Sequence, residues 1–359
     1  MVRARVPLGK FIKEYSVRNK ANEDISVYSV TNSQGFCADY FGKEVASKDK
    51  TTYKIVPRGY FAYNPSRINV GSVDWQRCED KVIVSPLYNV FSVSDDLDCQ
   101  YLYYFLRSDF GRQMIKSKAS GSVRDNLKLE MLKEMTIPDV TLEEQCFCAM
   151  ILDKVRSLIQ SRHDELQKLD TLIKSRFVEM FGDPIGNSMG LRTIPLGAAC
   201  YLKAGITTSA DAIHEYSTDY SIPCYGGNGI RGYVKEATQC GCYPIIGRQG
   251  ALCGNIQLAM GEFHATEHAV LVTPLIEINV VWLFHLLKLM DLYRFHTGAA
   301  QPGLAVKALN TVDIPIADIV EQDRFATFVR SIDKLKATIQ KSIDEAQTLF
   351  DSLMQEYFG

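Results

Sequence analysis

The residues best suited to catalysis in this sequence are two histidines and a glutamate in the segment His264-Ala265-Thr266-Glu267-His268. This HxxEH spacing is that of inverted zinc peptidases, in which a helix places both imidazoles on one face. Here the apolar run Ala269-Val270-Leu271-Val272 follows at once and is typical of a strand, and no third ligand is apparent. We therefore expect no metal site at this segment.

Other catalytic motifs are incomplete. An adenine methyltransferase carries an Asn-Pro-Pro-Tyr-like motif, but Asn64-Pro65-Ser66-Arg67 and Ser85-Pro86-Leu87-Tyr88 both lack the second proline. No ExK follows Pro138-Asp139 as in a nuclease, and no GxxxxGK[ST] loop is present for ATP. The ten cysteines form no CxxC pair, which indicates reduced thiols in a cytoplasmic protein. We expect this chain to be non-catalytic, with no cofactor of its own.

A different chemistry is available to the polar turns that separate the short apolar runs. Arg, Asn and Gln side chains make paired hydrogen bonds with base edges, and glycine allows the backbone to approach a phosphate closely. Any single turn of this kind is equally well read as a plain solvated turn. Their recurrence in both halves of the chain favours a DNA-binding surface. The candidate DNA contacts are Asn32, Gln34, Arg67, Asn69, Arg124, Asn228, Arg231, Arg248, Gln249 and Gln301.

The charge of the chain is unevenly distributed. The formal net charge is −2, whereas a self-sufficient DNA-binding protein usually carries a basic surplus. Residues 1–140 contain 21 Lys and Arg against 17 Asp and Glu, and residues 183–316 contain 8 against 10. If the chain binds DNA, partner proteins must therefore supply much of the phosphate neutralisation.

The candidate residues are positioned by an internal repeat. Residues 137–182 align without gaps with residues 314–359, and both segments begin with Ile-Pro, continue to Glu-Gln and end in Phe-Gly. A second repeated motif begins each half of the chain, with Val6-Pro7-Leu8-Gly9 matching Ile194-Pro195-Leu196-Gly197. Self-similarity at a fixed offset is the mark of repeated architecture. The chain therefore consists of two copies of one unit, each a globular part followed by a long helix.

Each long helix carries a seam of apolar residues with a period of 3.5, the pattern of a left-handed coiled coil. The partner is either another chain or the other helix of the same chain. We favour antiparallel pairing within the chain, because the intervening globular part can carry the chain back from the far end of the first helix. The residues expected to pack in the seam are Leu152, Val155, Ile159, Leu166, Leu169, Ile173, Ile332, Ile339, Ile343, Phe350 and Leu353.

The globular parts contain short apolar runs separated by turn residues, a pattern typical of strands and turns, and each part ends in an apolar helix. We expect an α+β fold in which two domains, each a mixed sheet plus helices, are separated by two long helices in an antiparallel coiled coil with pseudo-two-fold symmetry. The expected boundaries are residues 1–140 for the first domain and 141–182 for the first helix. The second domain and helix are expected at residues 183–316 and 317–359.

The ordered set of motifs resembles Type I restriction-modification specificity subunits over essentially the whole chain. The resemblance rests on the two opening motifs, on Tyr60-Phe61-Ala62-Tyr63-Asn64-Pro65-Ser66-Arg67, on Ile246-Gly247-Arg248-Gln249-Gly250-Ala251 and on the Phe181-Gly182-Asp183-Pro184 junction. It implies two target-recognition domains that read a two-part site in double-stranded DNA. It also implies two modification subunits that bind S-adenosylmethionine and methylate adenine, and restriction subunits that use ATP.

Two other functions remain open at the level of sequence. One is a coiled-coil adaptor protein with two ligand-binding domains and no DNA role. The other is the recognition half of a fused or two-subunit enzyme similar to Type II systems. No membrane partner is expected, because the longest apolar stretch, residues 280–289, is too short to span a bilayer.

Overall fold

The computed structural model describes residues 4–38, 49–119, 126–250, 252–298 and 302–359. The chain forms two compact units: the first comprises Met1–His163 with Lys341–Gly359, and the second comprises Asp164–Gln340. The expected boundaries set the long helices apart as separate segments. The packing instead divides each helix between the two units, because each half of a helix completes the core of a different globular part.

The first unit combines short strands with three helices and contains the start of the first long helix. The elements are β1 Arg5–Pro7, β2 Ile12–Glu14, β3 Ser29–Thr31, β4 Gly35–Cys37, β5 Lys54–Pro57, β6 Phe61–Tyr63, β7 Val73–Trp75, β8 Lys81–Val84, β9 Asn89–Val93, α1 Cys99–Arg107, α2 Asp109–Ala119, α3 Leu129–Lys133, β10 Thr136–Pro138 and α4 Leu142–Phe181. The strands lie in a four-stranded antiparallel sheet of order β2-β9-β6-β7 and in three two-stranded pairs, β1-β10, β3-β4 and β5-β8.

The core of the first unit lies between the four-stranded sheet and α1. Phe61 and Phe91 on neighbouring strands stack with ring centroids 5.1 Å apart. The ring centroid of Tyr101 on α1 lies 5.0 Å from that of Phe358, near the end of the second long helix, and both side chains are buried. Aromatic pairs of this kind stabilise a core beyond the area they bury. The terminal helical turn of the chain is therefore part of the first unit.

The second unit is built around a single larger sheet. Its six strands have the order β12-β17-β15-β16-β13-β14, in which the β13–β16 pair is parallel and the remaining pairs are antiparallel. The elements are β11 Arg192–Pro195, α5 Leu196–Ala199, β12 Cys200–Ala204, β13 Ile222–Gly226, β14 Gly229–Val234, β15 Gln239–Gly247, β16 Ile256–Ala265, β17 Ala269–Pro274, α6 Val280–Leu289, α7 Val306–Asn310, β18 Asp313–Ile316 and α8 Ile319–Phe358.

The repeated opening and closing motifs pair with each other in each unit. In β1 and β10, Val6 lies opposite Ile137, and in β11 and β18, Ile194 lies opposite Ile314. These two-stranded pairs bring the start of each globular part to its end, directly before the long helix begins. The repeated motifs are therefore the strands that join the beginning of each globular part to its end.

The two long helices run antiparallel where they share a core. In the second unit, the ring centroids of Phe177, near the end of α4, and Phe325, near the start of α8, lie 5.3 Å apart. Closer to the middle of both helices, Lys336 Nζ on α8 lies 2.6 Å from Asp170 Oδ1 on α4. The residue numbers rise along one helix as they fall along the other, which defines antiparallel pairing.

All eleven residues expected in the seam are buried or half-buried, and none is exposed. The seam also contains side chains that the strict 3.5 period missed. That period places Arg176 and Met180 in the seam, whereas Phe177 and Phe181 are 1% and 4% exposed. An ordinary α-helix drifts by about 20° per heptad relative to a 3.5 repeat, so the buried stripe moves to neighbouring positions toward the helix end. In the described ranges, no helix is both long and apolar enough to cross a membrane.

Candidate nucleic-acid interface

The first exposed turn of the first unit joins β3 to β4. Thr31 Oγ1 accepts a hydrogen bond of 2.9 Å from the Gln34 amide, and Gly35 adopts a φ of +66° to close the turn. A Cβ at Gly35 would collide with the carboxylate of Asp74, so both the conformation and the space require glycine here. The turn leaves the side chains of Asn32 and Gln34 exposed.

The second turn follows β6 and carries Arg67. Asn64 Oδ1 accepts hydrogen bonds from the Ser66 amide at 3.1 Å and from Ser66 Oγ at 2.9 Å, an arrangement by which Asn stabilises a turn. Arg67 is exposed and Asn69 is half-buried. Asn32, Asn64 and Arg67 line one hollow between this turn and the β3–β4 turn. Gln34 and Asn69 do not line it.

Arg107 at the end of α1 joins the two turns, a role that no sequence pattern indicates. Its Nη1 donates to the carbonyl of Gly71 at 2.8 Å, and its Nη2 donates to the carbonyl of Asn32. Burial lowers the pKa of Arg107, and the neighbouring Arg156 and Arg112 lower it further. A cation in the last turn of a helix is ordinarily read as a partner of the helix dipole. Only the fold reveals that this one reaches the turns.

In the second unit, the corresponding polar turns meet at the end of the large sheet. Asn228 lies in the tight turn between β13 and β14, and its Oδ1 accepts a hydrogen bond of 2.7 Å from Asn255 Nδ2. Asn228, Arg231 and Gln249 line one open pocket. Their side chains are exposed, so polar atoms from the β13–β14 hairpin and from the loop after β15 face the same space.

Arg248 lies beside this pocket and is held by its backbone. Its amide donates to the His268 carbonyl at 3.0 Å, and its carbonyl accepts from the Leu304 amide at 2.8 Å. The side chain is half-buried, and its Nε is buried without a hydrogen-bond partner among the described residues. Gly247 before it leaves no room for a Cβ, which would collide with the Gly227 carbonyl oxygen. The turn is therefore packed tightly against the β13–β14 turn.

The two remaining candidates, Arg124 and Gln301, lie outside the described residues. Neighbouring residues show where their segments attach. The Leu127 amide donates to the Pro65 carbonyl at 3.0 Å, next to the turn of Arg67, and the Gly250 amide donates to the Pro302 carbonyl at 3.0 Å. The chain on the C-terminal side of each candidate therefore runs beside the turn that carries the other candidates of its unit.

The HxxEH segment has a local structural role. His264 lies near the end of β16, with its Nε2 2.7 Å from Thr208 Oγ1 and its Nδ1 3.2 Å from Thr238 Oγ1. Burial lowers the pKa of this imidazole. His268 Nε2 lies 3.1 Å from Glu267 Oε1 in the turn before β17. The segment is a strand followed by a turn, and no group of three His, Cys, Asp or Glu side chains in the described part of the chain is arranged to hold a metal ion.

A buried glutamine in each repeat joins the globular part to the long helix. Gln145 Oε1 accepts from the Asp98 amide at 2.8 Å, and Gln322 Oε1 accepts from the Asn279 amide at 2.8 Å. Asp98 and Asn279 are the N-caps of α1 and α6. The Glu-Gln pair is visible as a repeat in the sequence. That its glutamine binds the amide of an N-cap residue depends on the fold.

Comparison with known proteins agrees with the internal repeat. The family model for the Type I restriction modification DNA specificity domain matches residues 9–171 and 197–347, one match in each repeat. An Escherichia coli protein, the Type I restriction enzyme EcoprrI specificity subunit, is 33% identical over 260 residues, which are 69% of this chain and 64% of that protein. The match thus spans less than two thirds of the relative's length.

Two solved structures share the fold over nearly the whole chain. The S subunit of a Type I restriction-modification system from M. genitalium has a TM-score of 0.59 at 16% identity, covering 99% of this chain and 96% of its own. A chain from a structure of complex assembly and conformational transition in the type I R-M system has a TM-score of 0.61 at 16% identity, covering 99% and 97%. The comparisons give no support to an adaptor protein without a DNA role.

Proposed function

The chain belongs to the Type I restriction modification DNA specificity family, and from this premise we propose that it reads a two-part DNA site. The observation that carries the proposal is that the family model matches twice, once in each repeat, and that each unit gathers exposed Arg and Asn side chains around one hollow, which Gln249 also lines in the second unit. Each unit would read one half of the site.

The chemistry of the two hollows fits base recognition. Arg67 in the first and Arg231 in the second are exposed, and neither forms an ion pair within the described residues. An unpaired guanidinium can donate two hydrogen bonds to the O6 and N7 atoms of guanine, and an amide side chain such as that of Asn228 can pair with adenine. Glycines beside the second hollow allow the backbone to approach the DNA.

We further propose that the chain contributes no catalytic group and works with partner subunits. Two modification subunits would bind S-adenosylmethionine and methylate adenine, and restriction subunits would use ATP. The likeness to specificity subunits supports this arrangement. Titration of the purified chain with S-adenosylmethionine or ATP should give no binding heat, and restoration of methylation should require an added modification subunit.

The test is to map methylated adenines in cells that express the chain with its modification subunit. We expect one motif with two short defined halves and an undefined spacer. Arg67→Ala should relax one position in one half, and Arg231→Ala one position in the other, each at a cost of about 1–3 kcal/mol in binding to the original site. Arg330→Ala, on the exposed face of α8, is the matched control and should leave the motif unchanged.

Two results would contradict the proposal. The absence of any sequence-dependent methylation with an active modification subunit would favour the adaptor function. Relaxation of both halves by a single alanine variant would show that the two units do not read the site separately.

A further inference from the structure

A cluster of arginines lies in the first unit beside the turns described above. The cluster consists of Arg107 at the end of α1, Arg112 in α2 and Arg156 in α4, and we call it the arginine pocket. Together with Tyr103 and His163, these side chains line a hollow of about 400 Å³. Three separate helices therefore direct cations toward one space.

The protein offsets the positive charge of the arginine pocket only in part: Asp74 is the one carboxylate among the described residues that acts on the pKa of Arg107, which it raises. No carboxylate in the described ranges forms an ion pair with Arg107, Arg112 or Arg156. The guanidinium groups of Arg107 and Arg156 lie 5.1 and 5.7 Å from the centre of the Tyr103 ring, and Arg156 Nη1 donates to Tyr103 Oη at 3.1 Å. Arg112 Nε is buried and lacks a partner in the described structure. In addition to burial, Arg156 and Arg112 both lower the pKa of Arg107, which shows that the three cations repel each other, and a bound anion would relieve that repulsion.

The arginine pocket is continuous with the turn that carries Arg67. Gly71 closes that turn with a φ of +94°, and its carbonyl accepts from Arg107 Nη1. The position that a Cβ on Gly71 would occupy lies 3.6 Å from both Arg107 Cζ and Arg112 Nη2. An anion in the arginine pocket would therefore lie beside the turn that carries Arg67.

The second unit does not repeat the cluster. Lys288 stands nine residues after the N-cap Asn279, as Arg107 stands nine residues after the N-cap Asp98. At the offset of the sequence repeat, however, Asp333 takes the place of Arg156. Two of the three arginines, Arg107 and Arg112, belong to the first globular part, which carries the basic surplus.

We propose that the arginine pocket binds a phosphodiester group of the DNA backbone beside the half-site read by the first unit. The inference rests on the proposed function, because the anion is a group of the bound DNA. Arginine is suited to the task because its planar, permanently charged group donates paired hydrogen bonds to phosphate oxygens. Contacts to phosphate position a protein on DNA without reading its sequence.

The experiment measures how salt weakens binding of the assembled complex to its DNA site. The test variants are Arg112→Gln, Arg156→Gln and the double variant, and Lys154→Gln, on an exposed face of α4, removes one positive charge as the control. Arg107 is left intact because it holds two turns in place. Each phosphate contact contributes about 0.9 to the slope of log affinity against log salt, so losing one should reduce the affinity ratio between 50 and 200 mM salt by about three- to fourfold.

We expect the double variant to show this loss while the methylated motif stays the same and the control keeps the wild-type slope. Replacement by lysine at both positions should restore most of the slope, which a purely structural role of the arginines would not predict. An unchanged slope in the double variant, with normal melting, would overturn the proposal, as would a change of bases in the first half of the motif. Failure of the wild-type complex to bind any specific DNA would instead refute the proposed function.

Discussion

Replacement of Gln322 by methionine should destabilise the second unit without changing any exposed group. The side chain is 1% exposed, its Oε1 accepts from the Asn279 amide at 2.8 Å, and its Nε2 donates to the Ala317 carbonyl at 2.9 Å. Methionine fills a similar volume but leaves both backbone groups buried and unpaired. At about 1–3 kcal/mol for each unsatisfied group, the expected loss in free energy of unfolding is about 2–6 kcal/mol.

The chain offers a convenient reporter for this loss. It contains two tryptophans, and Trp282, in the first turn of α6, is fully buried in the core of the second unit. In a Trp75→Phe background, the emission of Trp282 follows the second unit alone during urea unfolding. With a slope near 2 kcal/mol per molar urea, typical for a small domain, the midpoint should fall by about 1–3 M.

Gln167→Met is the matched control, because Gln167 is an exposed glutamine in the part of α4 that belongs to the same unit. Its free energy of unfolding should stay within about 0.5 kcal/mol of that of the parent protein, as for most surface substitutions. If Gln322→Met and Gln167→Met unfolded at the same urea concentration, the buried glutamine could not be the group that satisfies the N-cap amide.

Three further changes test other parts of the packing. Phe181→Ala removes a ring that lies 5.8 Å from Trp282, and should cost about 3–5 kcal/mol in the same unfolding assay. Burial lowers the pKa of His285 to about 4, helped by nearby lysines, so the folded state resists protonation of this side chain. Stability should therefore fall by up to about 3 kcal/mol as the pH drops from about 6.5 toward 4, and His285→Leu should remove this dependence on pH. Gly35→Ala forces a side chain into a left-handed conformation against Asp74, and should destabilise the first unit by about 1–3 kcal/mol in thermal melting.

The long helices were predictable because their signal is local and repeated. A gapless repeat and an apolar seam do not depend on how distant segments meet. The same local rule failed at Phe177 and Phe181, because those rings follow the core of the globular part and not the ideal heptad. Periodicity identifies the helix, but the packing partner decides which neighbouring side chain enters the core.

The arrangement of the sheets and the arginine pocket was not predictable from the sequence. Short strands of similar composition form one six-stranded sheet in the second unit and several small sheets in the first. Which strands pair depends on contacts between distant segments, and a single sequence does not encode them in a readable pattern. Arg107 and Arg156 are about fifty positions apart and lie on different helices, so no spacing rule connects them.

The repeated and the divergent features of the two units occupy different places in the fold. The repeated ones lie where each globular part meets the long helices: the paired strands at Val6 and Ile194, and the buried Gln145 and Gln322. The candidate DNA contacts lie in turns beyond this junction, on sheets that differ between the units. The contacts of this junction are made by the repeated residues themselves. The residues of the turns can therefore differ between the units without changing the junction. The fold can thus keep two equivalent supports while the turns diverge, as the proposed reading of two different half-sites requires.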